Sequence, residues 1–478
     1  MGSKRSATFV IIGGGIAGVS CLEGLSFLMP SETIILISSS PLVKTVTNIM
    51  PITKTLSHFD VEEKSLDDFS NLHPGISIIH ATVIGLDSQH HSVILTNGEI
   101  IQYKKLCICA GGNPKIIAEN NSHVLGIRDT ESVKEFELKI KNASKIVVVG
   151  NGGIATEIVH EIEGIEMVWV IKDKHISATF VDPGAAEFFQ NQVRKIEDKK
   201  ERERSMVKRL KYTTTSEGAS SSVKGAALGP DWHRSFELSH ERNESSKVII
   251  EYQCEVQCLK SRGDFTVPPD DEWPIYVELT NGKIIGCDFV VSATGVIPNS
   301  QLFVSGNDNL EIAEDGGLKV DWKMETTVPD VFAAGDICTA SWDKAHHWFQ
   351  MRLWTQARHM GMYAAKSMVG SLRGEEILQD FCFELFSHVT YFFGFKVVLL
   401  GLFNGQKLNG EYEVLLRVTK GAEYIKLVMK DGKMQGAVLI GETDLEEMCE
   451  NLILNQLDLT EYGEDLLNPD IDIEDYFD

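Results

Sequence analysis

The residues best suited to chemistry fall into two matching groups. Gly13-Gly14-Gly15-Ile16-Ala17-Gly18 has the spacing G-x-G-x-x-G. Gly150-Asn151-Gly152-Gly153-Ile154-Ala155 repeats it about 140 residues on, with alanine as the third small residue. The chemistry this implies is recognition of a pyrophosphate. The first glycine of each group (Gly13, Gly150) permits a tight turn, and the second (Gly15, Gly152) lets backbone approach the ligand. The third position, Gly18 or Ala155, lets a helix pack closely on a strand. The diphosphate would rest on a helix N-terminus, at Ile16 and Ala17 in the first group and at Gly153 and Ile154 in the second.

Such glycines bind a nucleotide only if strands and helices hold them, and the flanking sequence supplies both. Thr8-Phe9-Val10-Ile11-Ile12 reads as a buried parallel strand before the first group, with a helix over residues 19–28 and a returning strand over 33–37. Lys145-Ile146-Val147-Val148-Val149 precedes the second group, a helix carrying Glu157 follows it, and residues 167–171 return. One such motif is a weak signal, but two in full βαβ context are strong. Where an acid usually binds the ribose, the first copy has Ser38-Ser39-Ser40, whose hydroxyls bond more weakly than a carboxylate. The second has Lys172-Asp173-Lys174: the lysine suits a 2′-phosphate and Asp173 a ribose 2′-OH. The coenzyme is therefore expected to be NAD(P)H, with the phosphate preference open.

Two further strands end at glycines, over 105–112 and 287–295, each after an Asn-Gly turn (Asn97-Gly98, Asn281-Gly282). The strand in Asp330-Val331-Phe332-Ala333-Ala334-Gly335-Asp336 delivers an acid at its C-terminal end, the ligand side of a doubly wound sheet. Residues 187–211 read as a charged helix and 212–227 as flexible, together an insertion over 190–247. From 381 onward the pattern becomes antiparallel, with four strands over 396–403, 412–419, 424–429 and 434–440, then a helix over 443–455.

The 478 residues suggest about three domains, and 43% hydrophobic with 24% charged residues is ordinary globular composition. The formal charge of −24 argues against direct nucleic-acid binding through phosphates. It is concentrated at one end: no Lys or Arg follows Lys433, while 14 acids lie between Glu442 and Asp478. Nine cysteines without a secretory h-region point to a reducing compartment, cytoplasmic or nuclear. No apolar run reaches the ~18 residues that a membrane span needs.

Together these residues resemble the two-dinucleotide flavoprotein superfamily of pyridine nucleotide-disulfide oxidoreductases. The resemblance implies an α/β fold with two Rossmann-like domains and a C-terminal antiparallel α+β domain. It places a first FAD segment at 1–115, an inserted NAD(P) domain at 116–302, a second FAD segment at 303–380 and the C-terminal domain at 381–478. It implies FAD contacts at Gly13, Gly15, Gly18, Ala110, Gly111, Arg128 and Asp336, with further cofactor contacts at Ser38, Ser39, Lys44, Val83, Arg352 and Leu353. Gly150, Gly152, Glu157, Lys172 and Gly295 would line the NAD(P) side. Gly229-Pro230-Asp231-Trp232-His233, Met351-Arg352-Leu353-Trp354 and the end over 464–478 are similar to a eukaryotic branch associated with the tRNA ligase complex, whose catalytic subunit it shields from oxidation. That implies a protein client; the sequence leaves the oligomeric state open.

The departure from the superfamily concerns sulfur. Its disulfide reductases carry C-x-x-x-x-C after the second strand, whereas residues 44–54 here contain no cysteine. Cys107 and Cys109 sit two apart on a strand, Cα atoms ~6.6 Å apart, which is marginal for a bridge; Cys254 and Cys258 would be ~13 Å apart. The region instead has Pro51-Ile52-Thr53-Lys54, which resembles the Pro-Leu-Ser-Lys segment of the ferredoxin-, rubredoxin-reductase and apoptosis-inducing-factor branch. By that resemblance Lys54 pairs with Glu157 beside the flavin N5, and a helix beginning near Arg352 points its dipole at the flavin. The expectation is an FAD-dependent NAD(P)H oxidoreductase without a redox disulfide. The alternatives are a thiol or disulfide reductase using a non-standard cysteine such as Cys338, and a redox-sensing binding module.

Overall fold

Strand Lys4–Ile12 is the centre of the first sheet in this computed structural model, which describes residues 4–128, 130–162, 164–193, 208–213, 248–266 and 269–468. Its second half, an apolar and mostly β-branched run, is buried throughout because parallel strands flank it on both sides. Phe9 stands opposite Ile34 of strand Ile34–Ser38 and opposite Lys105 of strand Ile100–Ile108. Ile76–His80 extends the sheet beyond Ile34–Ser38. One half of Ile100–Ile108 carries the antiparallel strands Ser92–Leu95 and Val83–Asp87, and the other half pairs in parallel with Val331–Ala333. The chain thus leaves this sheet after residue 108 and returns to it at 331.

Between those points lies the second parallel sheet, in the order Val124–Gly126, Phe289–Ser292, Lys145–Val149, Glu166–Val170, Val248–Glu251. Alternation along Lys145–Val149 sorts its side chains. Val147 and Val149 pack on an antiparallel layer formed by Val256–Lys260, Ile275–Leu279 and Ile284–Cys287, while Ile146 and Val148 pack with Ala155 and Ile158 of helix Gly153–Glu161. Gly112–Pro114 and Val296–Pro298 pair antiparallel where the chain passes between the two units.

The third sheet is antiparallel, in the order Ser387–Phe392, Phe395–Gly401, Lys433–Ile440, Glu423–Lys430, Glu413–Thr419, Lys208–Thr213. Helix Glu446–Asn455 covers one face through Leu452 and Ile453. The other face meets helix Pro183–Val193 of the second unit, where Phe188 packs edge-on to Phe395 at 5.2 Å and Phe189 against Phe393 at 5.1 Å.

Two elements differ from the sequence expectations. Ser387–Phe392 is a fifth C-terminal strand, turned back at Phe393-Gly394, both at positive φ. The helix expected over 187–211 is described as Pro183–Val193, residues 194–207 lie outside the described residues, and Lys208–Thr213 is an edge strand, consistent with the alternation of Leu210 and Tyr212 with Arg209 and Lys211. The remainder of the insertion, residues 229–233 included, and the tail beyond 468 lie outside the described residues. The helix expected from near Arg352 is present, running from Trp354 to Arg373 with Leu353 as its N-cap. The segment that would carry a redox cysteine pair, for which no element was expected from the sequence, is half of a β-hairpin, Leu42–Pro51 with Ser57–Ser65, in which Val46 faces Val61.

Candidate active site

Both glycine turns are built alike. Gly13 has φ +113 and Gly150 φ +129, and each donates its N–H to a neighbouring strand end, Ile37 O at 2.8 Å and Val170 O at 3.1 Å. A Cβ on Gly13 would lie 2.2 Å from Cys109 O, and one on Gly150 2.1 Å from Ala293 O, so no larger residue fits either place. A Cβ on Gly18 would sit 1.9 Å from Gly13 O; Ala155 is fully buried at the matching position. Gly15 and Gly152 are different, because nothing lies within 4 Å of a Cβ on either. Each is the N-cap of its helix, Ile16–Leu28 or Gly153–Glu161, and neither helix has a side-chain cap. Ile16, Ala17, Gly153 and Ile154 therefore start their helices at an open cradle, where N–H groups and the dipole favour a diphosphate. The cradles fit the groups expected in them.

A second helix closes on the first cradle. Helix Trp354–Arg373 crosses Ile16–Leu28 so closely that a Cβ on Gly361 would be 2.2 Å from Ala17 O. This crossing brings Asp336, Arg352 and Leu353 to the same end of the sheet. Arg352, 7% exposed, donates from Nε to Asp336 O at 3.0 Å and from Nη2 to Asp315 Oδ2 at 2.6 Å. Burial pushes the Asp336 carboxyl up to about 6, against the pull of Arg352 and Arg128. Arg128 donates to Asn113 Oδ1, and its Nη2 would be 3.8 Å from a Cβ on Gly111. Ala110 and Gly111 are both held by Asn299, through Nδ2 to Ala110 O at 2.9 Å and through N–H to Gly111 O at 3.0 Å. Asn299 was not among the expected contacts; its only sequence signal is its place just behind the strand that ends at 295.

The remaining sequence candidates are distributed unevenly. Ser38, 2% exposed, donates to Ser40 O at 2.9 Å and accepts from Ser40 N–H at 3.2 Å, whereas Ser39 is exposed. Ala81 N–H donates to Ser38 O, which brings buried Val83 to the same edge. Lys44 N–H donates to Gly14 O at 2.9 Å, tying the hairpin to the glycine turn, and its Nζ lies 4.0 Å from Glu63. In the second unit Asn151 is the organiser. Its Nδ2 donates to Asp173 Oδ2 at 2.8 Å and to His175 O at 2.9 Å, and its Oδ1 accepts from Ser177 N–H at 2.6 Å. Lys172 is exposed beside this loop, and Gly295, at φ +101, accepts from Lys115 N–H across from it.

The expected ion pair between Lys54 and Glu157 is not formed. Glu157 is half-buried on helix Gly153–Glu161, while Lys54 is exposed and has no ion-pair partner among the described residues. The reason is a contact that local sequence does not signal: buried Glu450, from the C-terminal unit, holds the turn by its backbone and threonines, and the Lys54 side chain is left outward. Thr47 on the adjacent strand has a buried hydroxyl without a partner among the described residues, and its neighbours Val46 and Val61 pack with Ile16 and Trp354.

All nine cysteines are free thiols. Cys107 and Cys109 approach to 3.5 Å between sulfurs; the hydrogen bond with Cys107 and burial push the Cys109 thiol well up. Burial does the same to Cys338. Thiols raised in this way are poor nucleophiles. Among the described residues no cluster of His, Cys, Asp or Glu suits a metal ion, and no helix is long and apolar enough to cross a membrane.

Two pyrophosphate cradles on separate parallel sheets, one sheet interrupted by the other, define a two-dinucleotide reductase fold. Residues 7–222 and 236–361 match the Pyridine nucleotide-disulphide oxidoreductase family, and the chain belongs to it. It is an FAD- and NAD(P)H-dependent oxidoreductase. Pyridine nucleotide-disulfide oxidoreductase domain-containing protein 1 from Homo sapiens is 51% identical over 492 residues, covering 98% of each chain. Among solved structures, the fold is similar to that of a NAD-dependent persulfide reductase from A. fulgidus (TM-score 0.68, 16% identity, 97% of this chain and 79% of that one). It is also similar to putidaredoxin reductase in its covalent complex with putidaredoxin (TM-score 0.65, 15% identity, 95% and 94%).

Proposed function

We propose that this chain takes hydride from NAD(P)H without using a protein dithiol, and that it protects a protein partner from oxidative inactivation. The observation that carries the first half is the hairpin Leu42–Pro51 with Ser57–Ser65: where a dithiol would be needed, the chain presents a cysteine-free strand and the turn that carries Lys54. Bound FAD would supply the two-electron acceptor for the hydride. In this reading the chain would hold the two nucleotides at Gly15 and Gly152 and exclude water with Trp354 and Ile16, and Lys54 and Glu157 would come together only when both nucleotides are bound. The second half rests on the resemblance to the branch associated with the tRNA ligase complex. A net charge of −24 favours a protein client over RNA as the direct partner. Nine free thiols support a reducing cytoplasmic or nuclear setting.

Anaerobic stopped-flow reduction by NADH and by NADPH, in the wild type, Lys54→Met, Glu157→Gln and the double variant, tests this reading. Each single variant should slow flavin reduction about tenfold, and the double variant should lose much less than the product of the two. A Lys54→Met protein reducing at the wild-type rate would remove Lys54 from the mechanism. A thiolate charge-transfer band that vanishes in Cys338→Ser would replace this reading with a thiol reductase.

A further inference from the structure

Glu450 lies on helix Glu446–Asn455 of the C-terminal unit and is 1% exposed, yet its carboxylate meets no cation among the described residues. Its partners all come from one turn of the first unit, 396 positions away at Lys54. Oε1 accepts the Lys54 N–H at 3.0 Å; Oε2 accepts the Thr55 N–H at 3.1 Å, the Thr53 hydroxyl at 2.5 Å and the Thr55 hydroxyl. Burying a carboxylate without a counter-charge is costly unless several donors converge on it, and here four do. The same turn is anchored by Leu56 and Ile52, which pack in the C-terminal core, and by Ser387, whose hydroxyl donates to Thr55 O at 3.0 Å. From Ile52 to Leu56, Lys54 alone is exposed. The backbone of the turn is therefore pinned from below while one ammonium is presented outward.

We infer that Glu450 is a positioning residue for the active site, fixing the turn so that Lys54 meets the nucleotide junction. The inference rests on the reading of Lys54 given above. The C-terminal unit then serves the site as well as packing against it, and Glu450 acts through Lys54 without touching the reacting atoms.

The test pairs a readout of the turn with a readout of the reaction. Amide hydrogen exchange of the peptide spanning 50–57, in FAD-free and FAD-loaded protein, reports the clamp directly. Glu450→Ala should raise exchange at Lys54 and Thr55 at least tenfold and lower the limiting rate of flavin reduction about tenfold, with the coenzyme Kd little changed. Glu450→Gln keeps the Oε1 acceptor but puts an N–H opposite Thr55 N–H, so it should recover part of both losses. It also decides the matter if the alanine variant does not fold. Leu452→Ala, on the same helix, should lower Tm and leave both readouts alone. Lys54→Met with Glu450→Ala should reduce no more slowly than Lys54→Met. Wild-type exchange or a wild-type rate in Glu450→Ala overturns the inference while a slow Lys54→Met leaves the Lys54 reading standing. Multiplying losses in the double variant also overturn it. A Lys54→Met protein at the wild-type rate overturns the Lys54 reading and this inference together.

Discussion

Arg352 Nε donates to the Asp336 carbonyl oxygen at 3.0 Å, while its Nη2 bonds the Asp315 carboxylate at 2.6 Å. One buried guanidinium thus ties the strand end bearing Asp336 to the loop bearing Asp315, just ahead of helix Trp354–Arg373. Charge-assisted hydrogen bonds of this kind contribute about 1.5–3 kcal/mol each. Asp315 is partly exposed, so its share lies at the low end. Arg352→Ala should lower stability by about 2–3 kcal/mol in urea denaturation. It should also weaken FAD, because the Asp336 loop loses its anchor. Arg352→Lys keeps the charge but not the fork, and should recover less than half. Equal FAD affinity in Arg352→Ala and wild type would show that the anchor does not serve the cofactor.

Asp336 should make FAD binding depend on pH. Burial holds its carboxyl at about 6 in the FAD-free protein, above its ordinary 3.8. A ligand hydroxyl donating to this carboxylate favours the ionised form and lowers that value on binding. FAD affinity should therefore rise with pH up to about 6, by at most tenfold per unit, and level off above it. Stability of the FAD-free protein has the opposite sign. The Asp336 contribution is fully present below about 3.8 and is lost as pH rises through about 6. Titrations of FAD affinity between pH 5 and 8 on wild type and Asp336→Asn check the first effect; an unchanged pH profile in Asp336→Asn would assign it elsewhere.

The glycines separate folding from binding. A Cβ on Gly13 would lie 2.2 Å from Cys109 O, so Gly13→Ala should destabilise the first sheet whether or not FAD is present. Gly15 and Gly152 face open space, so Gly15→Leu and Gly152→Leu should fold. Gly15→Leu should be colourless at normal Tm before FAD is added. Gly152→Leu should keep its flavin and lose reduction by NAD(P)H. A Gly15→Leu protein as yellow as wild type would show that the first cradle does not hold the diphosphate.

What the sequence made legible, and what it did not, follows the range of the interactions. The glycine turns, Asn-Gly hairpins and parallel strands are local patterns, and Gly13, Gly98, Gly150 and Gly282 all sit at the positive φ those turns require. The hairpin over 42–65 had a signal too, Phe59 and Val61 alternating with acids, but one face of it is half-exposed and no element was expected there from the sequence. Glu450 could not be found this way. It reads as an ordinary helical acid, and only the docking of two units 396 positions apart reveals its partners. The turn at Lys54 is hidden in the same way, since the acid that holds its backbone lies in another unit.

The loop at Lys172 and Asp173 should set the preference between the two coenzymes, toward NADPH. Asp173 already accepts from Asn151 Nδ2 at 2.8 Å, and Asn151 is itself buried and fixed by Ser177, so this carboxylate is turned toward its own loop. Lys172 is exposed at the end of strand Glu166–Val170, where the adenosine ribose of a Rossmann-bound coenzyme lies. An ammonium there attracts a 2′-phosphate and gains little from a 2′-hydroxyl. In solvent the attraction is modest, about 1–1.5 kcal/mol, or roughly tenfold in affinity. Lys172→Ala should raise KM for NADPH about tenfold, leave KM for NADH within twofold, and leave kcat unchanged for both, since uniform binding alone is lost. The NADPH effect should shrink as salt is raised, because the site is open to screening. Equal losses for the two coenzymes in Lys172→Ala, at low salt, would show that this lysine does not read the phosphate.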